Sequence, residues 1–171
     1  MQLTDQAAAL QAEAFRLLDQ LDLATAFPGY GPPQLIGSAR SGLLVLRDLD
    51  VMFDAPGATT SGVLAGLAAL AERCELLSAD VRDERGDRRP TPRPTDERFY
   101  AVLQVGEWKV DLTFWIHEVD RPQVADAVRL QRISGEQREA ILRLKHECPG
   151  YPELIGGTDI YAAVLEHGVR A

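Results

Sequence analysis

At 171 residues the chain has the length of one domain, and 46% hydrophobic against 26% charged residues is the composition of an ordinary globular protein. Eighteen Lys and Arg against 26 Asp and Glu leave a net charge of −8. That balance counts against a general nucleic-acid binder, which grips through basic surface that displaces condensed counterions. No apolar run reaches the roughly 18 residues of a membrane span, and the start, MQLTDQAAALQAEAFRLLDQL, lacks the basic and apolar blocks of a signal peptide, so the cytoplasm is the expected address and no membrane partner is expected.

In chain order, residues 4–25 read as an amphipathic helix, with Ala14, Leu17, Leu18 and Leu21 near helical spacing and Thr4 or Asp5 as its cap. The segment Phe27 to Pro33 is rich in Pro and Gly and forms a turn. Gln34 to Ile36 is a short buried strand leading into Gly37-Ser38, and a short helix over 39–46 follows. Leu49 to Phe53 is a strand, residues 61–73 a helix capped by Ser61, and Glu75 to Val81 a strand again. From Asp80 to Asp96 the chain is charged, holds several prolines and lacks periodicity, which predicts an exposed loop. Phe99–Gln104 and Trp108–Ile116 read as a hairpin turning across Val105-Gly106-Glu107. Helices over 121–131, 135–147 and 157–168 finish the chain, separated by Pro149-Gly150 and Gly156-Gly157.

These elements predict an α/β (α+β) fold, a mixed sheet flanked by helices, in a single domain over 1–171. Its core covers about 30–118 and its helical part about 119–171. Cys74 and Cys148 fit no metal or redox spacing and read as reduced thiols. His117, His146 and His167 show no paired zinc spacing and read as surface or helix-end residues.

The informative run is Gly37-Ser-Ala-Arg-Ser-Gly-Leu-Leu-Val-Leu-Arg-Asp-Leu-Asp-Val-Met-Phe53. Asp48 and Asp50 are two apart on a strand and point the same way, so their charges repel. A strand otherwise made of Leu49, Val51, Met52 and Phe53 keeps such a pair for a reason, and a hard divalent cation supplies one. Asp111 interrupts a second apolar strand, Trp108 to Trp115, and joins the pair if the two strands are neighbours. Three convergent acids suit a two-Mg²⁺ site, with Asp111 as third ligand or as general base. Gly37-Ser38, between a strand end and a helix start, offers backbone N–H groups and a hydroxyl to a phosphate, and Arg40 is a further phosphate contact.

This pattern resembles the DNA polymerase β-type nucleotidyltransferase superfamily, in which Gly-Ser precedes an Asp-X-Asp pair and a third acid follows on another strand. The stretch Gly37-Ser-Ala-Arg-Ser-Gly42 is similar to that of the minimal and antibiotic nucleotidyltransferases, and the likeness covers roughly residues 34–116. It implies a mixed-sheet catalytic core, Mg²⁺, a nucleoside triphosphate donor and transfer of a nucleoside monophosphate with loss of pyrophosphate. By position it implies phosphate binding at Gly37 and Ser38, metal binding at Asp48 and Asp50, and a third ligand or base at Asp111. The segment from Ser38 to Asp48 is slightly shorter than in the minimal relatives, and Leu43 to Leu46 is unusually apolar, so its helix is expected to pack deeper.

Lys109 shares the strand face of Asp111 and is either a triphosphate contact or a partner of a nearby carboxylate; Thr113 continues that face. Arg85, Arg88, Arg89 and Arg93 of the 82–98 loop either close over substrate or stay solvated. Trp108 and Trp115 belong to the core, and Tyr161 and Arg170 have no assigned role. The leading functional expectation is transfer of AMP to a hydroxyl of a small-molecule acceptor, the acidic surface suiting a cationic one. The alternatives are a toxin-like or regulatory enzyme acting on tRNA or protein, and a silent domain that binds nucleotide or a partner. Oligomeric state stays open, a homodimer being one option.

Overall fold

The structure, a computed structural model, describes residues 2–170. It begins with α1 (Leu3–Leu21) and the single-turn α2 (Leu23–Ala26), split by Asp22 in the left-handed region at φ 43°. The continuous helix expected over 4–25 is therefore two. The first has Gln2 at its N-cap position, with no side-chain cap from Thr4 or Asp5. Then follow β1 (Gln34–Ile36), α3 (Gly37–Ser41), β2 (Asp48–Asp54), α4 (Thr60–Ala71), β3 (Leu76–Glu84), β4 (Arg98–Val105), β5 (Trp108–Trp115), α5 (Pro122–Gln131), α6 (Gly135–Glu147) and α7 (Gly157–Leu165).

Among the described residues the strands form one mixed sheet in the order β1-β2-β5-β4-β3, with β2 and β5 parallel and the other pairs antiparallel. Alternation decides what each face carries. Leu49, Val51, Phe53, Val110, Leu112 and Phe114 point to one side, where α1 and α4 cover them with Ala14, Leu17, Leu21, Val63, Leu67 and Leu70. Phe53 and Phe114 stack with centroids 5.0 Å apart, and Phe27 caps them at 5.5 and 4.8 Å. Truncating a ring this buried removes its transfer energy and leaves a cavity, a loss of about 3–5 kcal/mol. The opposite face carries Asp48, Asp50, Lys109, Asp111 and Thr113. A second apolar cluster, including Leu43, Leu130, Ile141, Ile160 and Val164, ties α5, α6 and α7 together beside α3.

Three local expectations change. The helix expected over 39–46 spans only Gly37–Ser41, because Gly42 turns left-handed at φ 72° and ends it. Leu43 and Leu44 then enter the core as irregular chain, fully buried. The strand expected to stop at Val81 runs to Glu84, since each residue from Asp80 to Glu84 finds a β4 partner, ending at Glu84↔Arg98. Its charged composition marks an edge strand exposed on both faces, not a loop. The loop proper holds two short 3₁₀ turns, Gly86–Arg88 and Pro94–Asp96. Thr59, not Ser61, caps α4, its hydroxyl accepting from the Gly62 N–H at 3.0 Å.

Candidate active site

Asp50 and Asp111 are direct partners across the parallel β2–β5 pair, and Asp48 is opposite Lys109. Each of the three aspartates offers an oxygen within 4.8 Å of the others. Burial, then the charges of Asp48 and Asp111, push the Asp50 carboxyl up to about 7. Burial also raises Asp48, with Lys109 opposing it and Asp111 adding to it. Asp111 Oδ2 accepts from the Tyr100 hydroxyl at 2.6 Å and from Lys109 Nζ at 2.8 Å. Asp111 Oδ1 is buried and has no hydrogen-bond partner among the described residues.

Lys109 Nζ also donates to Asp48 Oδ1 at 3.2 Å. Partial burial pulls this ammonium down, but the bond to Asp111 and the two carboxylate charges outweigh it, so its pKa is raised. One ammonium cannot neutralise three acids. An all-oxygen ligand set, mutual repulsion and the orphaned Asp111 Oδ1 fit a hard divalent cation such as Mg²⁺. The Lys109 side chain is 46% exposed and is free to swing aside.

Gly37 adopts φ 64°, and a Cβ there would stand 2.5 Å from Asp50 Oδ2. Only glycine lets the β1–α3 turn press against the acids. Beneath the turn lies a polar cluster that the sequence reading did not identify. Lys145 of α6, 2% exposed, donates from Nζ to Ser38 Oγ at 2.7 Å, to the Tyr161 hydroxyl at 2.7 Å and to the Leu43 carbonyl at 3.1 Å. Ser38 Oγ and the Tyr161 hydroxyl are 3.1 Å apart. Burial lowers the Lys145 ammonium to about 7 against the pull of Asp50 and Asp48, and burial raises the Tyr161 phenol to about 12. The available signal was phase: Lys145 follows the buried Ile141 by one helical turn and so shares its inward face.

The fold thus brings Gly37, Ser38 and Lys109 to the three acids. The Arg40 guanidinium donates to the Leu35 carbonyl at 3.4 Å, and its Nε is buried without a partner among the described residues.

Two hollows meet at Asp50. One, of about 180 Å³, runs along β5 past Asp111, Thr113 and Trp115, with Tyr100 and Arg98 beside it. The other, of about 380 Å³, opens from Gly37 between α5 and α7. Arg98, the arginine that lines the first hollow, pairs with Glu84, and Arg121, stacked on Trp115, pairs with Asp96. The Arg98 and Arg121 guanidiniums lie 5.4 and 3.6 Å from the ring centre of Trp115, which is buried as expected.

No family model and no curated protein matches the chain. Solved structures do. The Cid1 poly(U) polymerase with MgGTP bound superposes with a TM-score of 0.57 at 18% identity, over 81% of this chain and 42% of that one. A cytoplasmic RNA terminal U-transferase gives 0.56 at 14% identity, over 96% and 51%. Terminal uridylyl transferase 4 from Trypanosoma brucei, with bound UPU, gives 0.53 at 17%, over 91% and 53%. The chain therefore has the mixed-sheet nucleotidyltransferase fold of these polymerases and spans about half their length. Among the described residues, no helix is long and apolar enough to cross a membrane.

Proposed function

We propose that the chain is a Mg²⁺-dependent nucleotidyltransferase that moves a nucleoside monophosphate, AMP in the leading reading, from a nucleoside triphosphate to a hydroxyl. The observation that carries this is the set of three carboxylates within 4.8 Å, one with an orphaned oxygen, against a turn that only glycine can make. Asp48, Asp50 and Asp111 hold the metal, two ions in the full reading. A divalent cation held there would neutralise the triphosphate and the negative charge that builds up on its oxygens during transfer.

The protein's own groups do the rest. The Gly37-Ser38 turn, with Lys145 beneath it, receives the triphosphate, and Lys109 leaves the carboxylates to contact phosphate oxygens. Arg40, just after the turn, would be a further phosphate contact if its guanidinium left the Leu35 carbonyl. Asp111, oriented by the Tyr100 hydroxyl, takes the proton of the acceptor hydroxyl. The hydroxyl oxygen bonds to the α-phosphorus, the bond from that phosphorus to the bridging oxygen breaks, and pyrophosphate departs.

The hollow of about 180 Å³ beside Asp111 is the acceptor side. A small hydroxyl compound suits it, since the net charge is −8 and Arg98, the arginine lining the hollow, is paired with Glu84. A second reading, an RNA 3′-hydroxyl acceptor, is favoured by the likeness to a cytoplasmic RNA terminal U-transferase and to a terminal uridylyl transferase with bound UPU. The decisive experiment is calorimetry with the four nucleoside triphosphates, with and without Mg²⁺. At least one should bind only with metal, and metal-independent or absent binding throughout would end the enzymatic reading. Transfer of label from an α-³²P triphosphate to an RNA oligonucleotide, against a mixture of small polyols and amino-alcohols, then separates the two acceptors.

A further inference from the structure

α3 has five residues, far below the roughly 12 at which a helix begins to hold itself together in water, so its place is set by what grips it. Its N-terminal end is the Gly37-Ser38 turn that meets Asp50. Its C-terminal end, about 7.5 Å away at the helical rise, leaves carbonyl oxygens without a partner inside the helix. Side chains from three other helices take these oxygens in order. Gln11 of α1 donates from Nε2 to the Ala39 carbonyl at 2.7 Å and to the Arg40 carbonyl at 3.4 Å. Gln131 of α5 donates to the Arg40 carbonyl at 2.9 Å. Arg138 of α6 donates from Nη1 to the Ser41 and Gly42 carbonyls at 2.9 and 3.1 Å, and from Nη2 to the Leu130 carbonyl of α5 at 3.3 Å. A cation at this end also suits the helix dipole. Gly42 admits the grip, since a Cβ there would stand 3.2 Å from Arg138 Nη1 and 3.3 Å from Gln11 Oε1.

Ser41 carries the grip to the turn. Its carbonyl is held by Arg138, and its buried hydroxyl donates to the Gly37 carbonyl at 3.0 Å. The Leu43 N–H closes on the Ser38 carbonyl at 3.0 Å. The three acids, by contrast, stand on β2 and β5 and are placed by strand pairing. Turn and acids are therefore positioned by separate sets of contacts. We propose that Gln11, Gln131 and Arg138 are positioning residues: they fix α3 so that the Gly37-Ser38 turn is set to receive the triphosphate, while the metal ligands are held independently. The assignment rests on the nucleotidyltransferase reading above and adds to it the side chains that set its phosphate side.

The test compares Arg138→Met and Gln131→Glu with the unaltered full chain by calorimetry, at a temperature where all are folded. One titration uses Mg²⁺ alone, and the other uses α,β-methylene analogues of ATP, CTP, GTP and UTP with Mg²⁺ present. Arg138→Met removes the donor fork, and Gln131→Glu, at an exposed position, turns a donor facing the Arg40 carbonyl into an acceptor. The tightest analogue should bind about tenfold more weakly to Arg138→Met and about threefold more weakly to Gln131→Glu, with Mg²⁺ affinity kept within about twofold in both. Arg138→Lys keeps the charge without the fork and should recover only part of the loss. A role confined to stability would lower the melting temperature and leave the analogue affinity of folded molecules unchanged. That result in both variants overturns the proposal alone, as does an equal loss of Mg²⁺ and analogue affinity. If Arg138→Met does not fold, the Gln131→Glu titrations decide by the same criteria. Absence of metal-dependent binding of every analogue by the unaltered chain overturns the proposal together with the enzymatic reading.

Discussion

Asp50 of β2 and Asp111 of β5 are register partners across the sheet's parallel strand pair, with their carboxylates on the face away from the main core. Without metal this pairing is a repulsion, and Asp111 Oδ1 is left without a hydrogen bond. Replacing either residue by Asn keeps the shape and removes one charge. Both Asp50→Asn and Asp111→Asn should lower transfer by at least about 10²–10³-fold, the scale of losing one preorganised electrostatic contact. Thermal stability in EDTA should hold or rise as the repulsion is relieved. Full activity in either variant, or a clear loss of metal-free stability in Asp50→Asn, would contradict the site as drawn.

The metal-free protein should have an unusual pH profile. Folded Asp50 titrates near 7 against an ordinary 3.8, so between about pH 4 and 7 the folded chain holds a proton that the unfolded chain has released. Stability falls as pH rises through that window. Folded Lys145 titrates near 7 against an ordinary 10.5, so between about pH 7 and 10.5 the unfolded chain binds the extra proton and stability rises again. Denaturant midpoints across pH should show both limbs in EDTA. Asp50→Asn should flatten the first limb and Lys145→Met the second. Mg²⁺ affinity should climb about tenfold per pH unit up to about 7 and then level, because the cation displaces the Asp50 proton.

Gly37→Ala tests the close approach at the turn. A left-handed φ costs a non-glycine residue about 1–2 kcal/mol, and the new Cβ would sit 2.5 Å from Asp50 Oδ2. We expect a stability loss of about 2 kcal/mol. Because Asp50 must shift, we also expect a fall in transfer on the order of 10²-fold. Wild-type activity from this variant would mean that the turn does not meet the acids.

Lys109→Met separates the counter-ion from the metal. The lysine is nearly half exposed, so its two ion pairs are screened and their removal should lower metal-free stability by only about 1 kcal/mol. With millimolar Mg²⁺ the difference should vanish in thermal melts, since the cation takes over the neutralising role. A deficit that persists at saturating Mg²⁺ would show that ammonium and metal do not compete.

Some of this was legible in the chain and some was not, for physical reasons. Alternation of Asp48 and Asp50 with Leu49 and Val51 gave a strand with one acidic face, since side-chain direction on a strand depends only on position. The extent of α3 was not legible: Leu43 to Leu46 continue a plausible helix, and only the left-handed turn at Gly42 ends it. The reach of β3 was hidden for a different reason. Its charged residues are poor strand formers, and pairing with β4 overrides that preference at a sheet edge. Lys145 was missed because a charged residue near a helix end reads as solvated, and nothing local says that Ser38, Tyr161 and the Leu43 carbonyl will receive its three hydrogens.

The sequence by itself determined the acidic strand and the Gly37-Ser38 turn before it, because those depend on backbone geometry within a few residues, and the order of strands and helices pointed to the mixed-sheet class. Tertiary structure alone decided that Asp111 lies beside Asp50, that Lys109 bridges Asp48 and Asp111, and that α5 and α7 leave a slot open at Gly37. The pairs Asp50–Asp111 and Asp48–Lys109 are far apart in the chain, and all of α6 separates α5 from α7; strand pairing and helix packing, which no local pattern encodes, bring them together.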